Sequence, residues 1–122
     1  MIGAGQREKG WEMGTRSRYM DDFPIAGMRY WDAALALRDL GPGDNLSLVA
    51  EPDNPRDPDA VAIFWEDVKL GYIPRESNAL PAQLLAFGHG DVIECRVLKV
   101  DPQAETYSQI RVGLYMTEKG CE

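Results

Sequence analysis

The chain has 122 residues, the usual size of a single domain, of which 44% are hydrophobic and 27% are charged. Its net charge of −7 argues against a nucleic-acid contact that needs a wide basic surface, because affinity for phosphates comes largely from counterion release. The longest apolar runs fall far short of the roughly 20 residues that span a bilayer, and no apolar leader opens the chain. We therefore expect a cytoplasmic protein without a membrane partner, with free thiols at Cys95 and Cys121.

Composition divides the chain into three segments. Residues 1–22 mix glycine, charge and isolated aromatic residues with no helical or strand period, and they are predicted to be a flexible N-terminal arm. Residues 23–116 carry the regular patterns and are predicted to form the folded domain. Residues 117–122 are predicted to be a short C-terminal tail.

The first elements of the domain are short. Residues 23–29 are predicted to form a strand with a bulge or a close approach at Gly27, because glycine inside a strand marks such a position. Residues 30–40 have apolar side chains at helical spacing, which predicts a short helix. The breaker at residues 41–45 ends that helix, and residues 46–50 are predicted to form the next strand.

A rigid loop and a hairpin follow. Residues 51–59 contain three prolines and four acidic residues, a composition through which a strand cannot continue. Residues 60–65 and 68–73 are rich in β-branched and aromatic side chains, which predicts two strands. Glu66 and Asp67 are predicted to form the turn between them.

The last elements complete a mainly β pattern. Ser77 is predicted to cap a helix over residues 78–87 that ends at Gly88. Residues 92–100 and 110–116 are predicted to be strands. Six strands with one main helix predict a mainly β fold, namely a small six-stranded OB-like or SH3-like barrel.

The residues of common catalytic and metal sites do not occur at the required spacing. The single histidine, His89, lies between two glycines in a predicted helix-ending turn, so no Ser–His or Cys–His pair is indicated. His89, Cys95 and Cys121 lack the paired spacing of a zinc site. A calcium loop that started at Asp53 would place Phe64 where the bidentate glutamate belongs. We therefore expect no metal, no cofactor and no enzyme activity.

One enzyme pattern stays open as the weakest alternative. Pro58-Asp59 followed by Asp67-Val68-Lys69 imitates the spacing of metal-dependent nucleases, in which two carboxylates hold Mg²⁺ and the lysine contacts the scissile phosphate. The gap between the two parts is short, and no upstream helical glutamate is evident. The other interpretation of the second part is a polar hairpin tip.

Aromatic residues stand next to an arginine at the end of the first predicted strand. Arg29 is followed by Tyr30 and Trp31, and Tyr72 follows Gly71 in a later strand. Nucleic-acid bases stack on such rings with about 1–3 kcal/mol each. Aromatic residues at strand ends also pack against protein cores, so both interpretations stay open.

Two longer segments carry a family resemblance. Residues 51–63, EPDNPRDPDAVAI, and residues 69–75, KLGYIPR, resemble the loop and the following strand of the HIRAN family. Residues 25–31, IAGMRYW, look like the opening strand of that family with its arginine and aromatic pair. HIRAN domains are OB-like barrels that occur alone in bacteria and fused to SWI/SNF-type helicases. The resemblance covers about residues 23–116 and implies binding of single-stranded DNA, with capture of the 3′-hydroxyl end, in repair or replication.

The resemblance also assigns roles to individual residues. The binding residues that it implies are Arg29, Tyr30, Trp31, Asn54, Arg56, Asp57, Asp59 and Tyr72. The first three would contact phosphate and stack bases, and Tyr72 would flank the end pocket. Asn54 and Asp57 would shape that pocket. Asp57 would accept a hydrogen bond from the terminal 3′-hydroxyl, a donor that an internal phosphodiester lacks.

Two positions depart from the family pattern. Arg56 stands where the family often has an aromatic residue or histidine, and Asp59 replaces the commoner asparagine and adds a negative charge. Asn54, Asp57 and Asp59 also have a purely structural interpretation, in which their side chains hold the loop by hydrogen bonds to its backbone. The alternative function is therefore a protein-interaction module on the same fold, with partners such as helicases, that does not bind DNA.

Overall fold

The computed structural model describes residues 16–28, 31 and 33–118. The strands are Ser17–Pro24 (β1), Asn45–Ala50 (β2), Val61–Trp65 (β3), Val68–Tyr72 (β4), Ile93–Val100 (β5) and Ile110–Thr117 (β6). The helices are Ala33–Ala36 (α1) and Ala79–Ala86 (α2), and 3₁₀ turns lie at Arg75–Ser77, Gly90–Val92 and Thr106–Ser108. No helix in these ranges is long and apolar enough to cross a membrane.

The six strands form one antiparallel sheet in the order β1-β6-β5-β2-β3-β4. β2 joins the two halves, because Asn45 and Leu46 pair with β5 and the rest of β2 pairs with β3. Within the described residues, no continuous ladder closes the sheet between its edge strands β1 and β4. A single bridge between Ala26 and Tyr72, with two backbone hydrogen bonds of 2.9 Å, links the chain after β1 to β4. The predicted mainly β, OB-like fold with six strands and one main helix is confirmed.

The hydrophobic core lies on one face of the sheet. In β5, Cys95 and Val97 are buried and Arg96 between them is not, which is the alternation of a strand with one face on the core. The largest fully buried side chains include Ile25, Ile63, Leu70, Ile110 and Leu114. These residues come from both halves of the sheet, so one core holds both edges in place.

Gly71 allows the chain after β1 to approach β4. A Cβ atom at this position would lie 2.4 Å from the Ala26 carbonyl oxygen and 2.6 Å from the Ile25 Cγ2 atom. Side chains do not tolerate such distances, so glycine is required where Ala26 pairs with Tyr72. Further along the chain, Trp31 lies beside Tyr72 of β4.

Several predicted boundaries are wrong. The first strand begins at Ser17 rather than Phe23, because it pairs along its length with β6, a partner distant in sequence. The helix predicted over residues 30–40 is described only as the four-residue α1. Ser77 lies in a 3₁₀ turn, and Asn78 is the residue that precedes α2.

The same pairing reaches into the predicted arm and tail. Residues 17–22 of the predicted arm lie in β1, and Thr117 of the predicted tail lies in β6, because these two strands pair with each other from Ser17↔Thr117 onward. Residues 1–15 and 119–122, and Cys121 with them, are outside the described ranges.

Candidate nucleic-acid interface

The loop between β2 and β3 is closed by its own backbone. The Glu51 N–H donates to the Ala60 carbonyl at 2.8 Å, where the loop leaves and rejoins the sheet. Inside the loop, the Asn54 N–H donates to the Glu51 carbonyl at 3.0 Å, and the Ala60 N–H donates to the Asp57 carbonyl at 3.1 Å. Such successive turns are what its prolines favour. The loop therefore presents a compact wall beside the sheet.

Two side chains of the loop fold back onto its backbone. Asn54 Oδ1 accepts the Arg56 N–H, and Asp57 Oδ1 accepts the Asp59 N–H, each at 2.9 Å. Both are Asx turns, in which a side chain replaces a backbone acceptor two residues away. The structural role of Asn54 and Asp57 is thus present in the molecule, and any ligand contact comes in addition to it.

The second oxygen of Asp57 faces the start of α2. Asp57 Oδ2 accepts the Asn78 side-chain amide at 2.9 Å, and Arg75 Nε lies 3.6 Å away. Asn78 is buried, at 4% exposure. The Asp59 N–H, and after it the Asn78 amide, hold the pKa of Asp57 below its ordinary value of 3.8. Asp57 is therefore ionised at neutral pH and acts only as an acceptor.

Glu51 joins the loop to β4. Its Oε1 accepts the Asn54 amide at 3.0 Å and the Tyr72 hydroxyl at 2.8 Å, and its Oε2 accepts the Lys69 ammonium at 2.8 Å. Burial would raise the pKa of Glu51, but these hydrogen bonds outweigh it and leave the pKa below its ordinary value of 4.5. Burial would lower the pKa of Lys69, but its bonds to Glu51 and Tyr72 leave that pKa above 10.5. Both groups are therefore charged at neutral pH.

Trp31 and Tyr72 form an aromatic wall next to this ion pair. Their ring centroids are 6.2 Å apart with an interplanar angle of 64°, an edge-to-face arrangement. The Lys69 ammonium lies 3.9 Å from the Trp31 ring centroid and 4.6 Å from that of Tyr72. Trp31 keeps 41% of its surface exposed, so part of its ring is accessible to a ligand.

A cleft of about 670 Å³ lies between the loop and the aromatic wall. This volume is typical of sites for small ligands or for part of a larger one. The charged residues that line it are Arg56, Arg75 and Asp57, and Arg75 also donates to the Arg56 carbonyl at 2.9 Å. Two cations and one anion make the cleft locally positive, although the whole chain carries −7.

The structure brings most of the predicted binding residues to this cleft. Those that line it are Trp31, Asn54, Arg56, Asp57 and Tyr72. Asp59 is exposed on the loop and is not part of the lining, and its backbone N–H serves Asp57. Arg29 and Tyr30 are outside the described ranges.

Four residues of the site are absent from the predicted binding residues, although Lys69 occurs in the alternative nuclease pattern. They are Glu51, Lys69, Arg75 and Asn78. The first three lie inside the segments that carry the family resemblance, residues 51–63 and 69–75. The resemblance therefore indicated that they lie near the site, but not what they do there. Asn78 has a weaker signal, because a polar residue at the start of a helix is usually interpreted as a cap.

The geometry does not support the nuclease pattern. Asp59 and Asp67 lie beyond opposite ends of the five-residue strand β3, which is about 13 Å long. Lys69 is engaged by Glu51 and Tyr72. The described part of the chain contains no group of three or more His, Cys, Asp or Glu residues that could hold a metal ion.

Fold and cleft together define a binding module. A mainly β domain whose cleft combines an exposed ring, two arginines and an ionised carboxylate suits a ligand with planar rings, phosphates and hydroxyl donors. The HIRAN domain model matches residues 19–116, so the chain belongs to the HIRAN domain family, as predicted. HIRAN domains are known as DNA-binding modules and not as catalytic domains.

Two solved structures are similar to this chain. A protein from Lactobacillus plantarum is 27% identical with a TM-score of 0.70, and the match covers 86% of this chain and 99% of that one. The HIRAN domain of human HLTF is 17% identical with a TM-score of 0.59, and the match covers 90% of this chain and 84% of that one. The second similarity shows the fold alone. No curated protein matches the sequence.

Proposed function

We propose that the cleft binds single-stranded DNA and receives a free 3′ end, and that it does so in the cytoplasm, in repair or replication, beside helicase-type partners. The observation that carries this proposal is the presence of an exposed indole and an ionised carboxylate in one cleft, Trp31 and Asp57. The first suits a base, and the second suits a hydroxyl donor. Membership of a DNA-binding family supports the same ligand class.

Trp31 is the proposed stacking surface. Its ring is 41% exposed and is held against Tyr72, so a base can lie on it without first ordering the side chain. One base stacked on an aromatic ring contributes about 1–3 kcal/mol. Arg56 offers a second planar group on the loop side of the cleft. Arg29 and Tyr30, which lie outside the described residues, are proposed to contact the single-stranded DNA beyond the cleft.

Asp57 is the proposed acceptor for the 3′-hydroxyl. Its two oxygens already accept one N–H each, from Asp59 and from Asn78, and a carboxylate has about four acceptor sites. Capacity for one more donor remains. A 3′-hydroxyl supplies that donor, whereas a 3′-phosphate supplies negative charge instead. We therefore expect Asp57 to favour a free 3′ end over an internal phosphodiester, which has no hydroxyl donor.

Arg56 and Arg75 are the proposed phosphate contacts. Two contacts predict a shallow salt dependence, with a slope of log affinity on log salt of about −1.4 for a single strand. Binding would therefore depend on stacking and on the end contact more than on charge, which agrees with a chain of net charge −7.

Fluorescence anisotropy of a 5′-labelled single strand of about 10 nucleotides, a length suited to one OB-type barrel, tests the proposal. Measured at low salt, the wild type is expected to bind. Trp31→Ala is expected to weaken binding by about 10-fold, the loss of one stacked base. Tyr107→Ala is the control, because Tyr107 is 71% exposed and does not line the cleft. Absence of binding at low salt, or equal losses for both variants, would rule out this site.

The protein-interaction alternative has one supporting observation. Asp53 and Asp59 are exposed on the loop outside the cleft lining, and they offer carboxylates to a basic protein segment on a chain of net charge −7. A chain that bound no single strand at low salt, but bound a basic helicase segment in a salt-sensitive way, would support this second function.

A further inference from the structure

The Lys69 ammonium lies behind the aromatic wall. It donates to Glu51 Oε2 and to the Tyr72 hydroxyl, each at 2.8 Å, and it lies 3.9 Å from the centroid of the Trp31 ring. Its side chain is 18% exposed. Protein groups therefore surround the ammonium and leave little of it open to a ligand.

These contacts account for the donors of the ammonium. Two N–H groups serve Glu51 and Tyr72, and the third remains for the electron-rich face of Trp31, which attracts a cation. The cation thus covers one face of the indole, and Tyr72 meets the ring edge-to-face. The 41% of the Trp31 surface that stays exposed is the part available to a base.

Glu51 extends the same arrangement to the loop. The carboxylate that accepts the Lys69 ammonium also accepts the Asn54 side chain at 3.0 Å, and Asn54 in turn accepts the Arg56 N–H. The loop and the aromatic wall therefore share one carboxylate. Any shift of Lys69 changes both walls of the cleft.

We propose that Lys69 is a positioning residue. It holds the rings of Trp31 and Tyr72, the aromatic wall, in a fixed position relative to the loop, and it does not itself contact the DNA. The consequence for affinity rests on the proposed function of the cleft. The ordering of Trp31 does not, because it is a property of the DNA-free protein.

The first test is the mobility of Trp31 without DNA. In a chain with Trp11→Phe and Trp65→Phe, Trp31 is the remaining tryptophan and its fluorescence anisotropy reports the mobility of this ring. Lys69→Met is expected to lower that anisotropy, and Lys69→Arg to restore it, because a guanidinium can pair with Glu51 and lie on the indole. Lys99→Met, at an exposed lysine of β5, is the control and is expected to leave it unchanged. Unchanged anisotropy in Lys69→Met would overturn the inference.

The second test separates positioning from direct contact with phosphate. The double variant Glu51→Gln with Lys69→Met keeps the net charge of the chain. We expect it to bind the single strand about fivefold more weakly with the same salt slope as the parent. A slope of log affinity on log salt that is smaller in magnitude by about 0.7 would mark a lost phosphate contact and would overturn the inference. An affinity equal to that of the parent would also overturn it, because Lys69 would then not affect binding.

Two further outcomes are also decisive. If Lys69→Met does not fold, as judged by circular dichroism, Glu51→Gln takes its place, and a lowered Trp31 anisotropy supports the inference while an unchanged one overturns it. If the parent binds no single strand, the proposed function fails, whereas the anisotropy of Trp31 still decides whether Lys69 positions the ring.

Discussion

Replacing Gly71 with alanine tests the junction that holds the cleft together. The new Cβ would lie 2.4 Å from the Ala26 carbonyl oxygen and 2.6 Å from Ile25 Cγ2, whereas ordinary contact begins at 3.4 Å. The two segments would have to separate by about 1 Å in a closely packed region. That separation would break both 2.9 Å hydrogen bonds between Ala26 and Tyr72.

The expected loss of stability is large. Overpacking costs about 1–3 kcal/mol, and each of the two lost hydrogen bonds costs about 0.5–1.5 kcal/mol, which gives about 2–6 kcal/mol for Gly71→Ala. The whole free energy of unfolding of such a domain is about 5–15 kcal/mol. At about 4 °C per kcal/mol for a domain of this size, the melting temperature should therefore fall by about 8–24 °C.

Thermal unfolding followed by circular dichroism measures this change. Gly41→Ala is the matched control, because a Cβ at Gly41 would meet nothing within 4 Å. The control is expected to stay within about 1 kcal/mol of the wild type. Equal melting temperatures for Gly71→Ala and Gly41→Ala would refute the close approach of Ala26 to β4.

Three more predictions concern the loop anchor, the ion pair and the core. Asn78→Ala should lower the free energy of unfolding in urea by about 1–2 kcal/mol, because Asp57 loses a buried donor. The stability difference between the wild type and Glu51→Gln should be full above pH 4.5 and shrink as pH falls below that value, because the folded state lowers the Glu51 pKa. In a Cys121→Ser chain, Cys95 should resist thiol reagents at pH 8 until the protein unfolds, because burial raises its pKa to about 12.

Each of these predictions has a contrary result. An Asn78→Ala chain as stable as Asn45→Ala, a substitution of an exposed asparagine in β2, would show that the contact with Asp57 does not stabilise the loop. A difference between the wild type and Glu51→Gln that grew as the solution became more acidic would contradict the lowered pKa. Rapid labelling of Cys95 in the native protein would contradict its burial.

Local patterns predicted most of the strands, but not the start of β1. The alternation of β5 and the Gly-Pro breaker before β2 depend on neighbouring residues, and both predictions were close. β1 was placed too late because Ser17 and its neighbours have no strand pattern of their own. They are strand because β6, about a hundred residues further along the chain, pairs with them.

The internal contacts of the loop were predictable because they are local. Hydrogen bonds from Asn54 and Asp57 to the loop backbone were one of the two interpretations of these side chains, and Asx turns of this kind act over a few residues. The partners that orient them were not found. Asn78 donates to Asp57, 21 residues away in sequence, and Lys69 donates to Glu51, 18 residues away. Contacts of this kind depend on how the strands pack, which no short pattern encodes.

The most direct test of the central claim compares two single strands that differ only at the 3′ end. One carries a 3′-hydroxyl and the other a 3′-phosphate, and both carry a 5′ fluorophore for anisotropy. The wild type should bind the hydroxyl end at least about 10-fold more tightly, the size of one hydrogen bond to a charged group. Asp57→Asn should remove most of that difference, and Asp53→Asn, an exposed residue of the same loop, should keep it. Equal affinity of the wild type for both ends would contradict the claim that this cleft receives a free 3′ end.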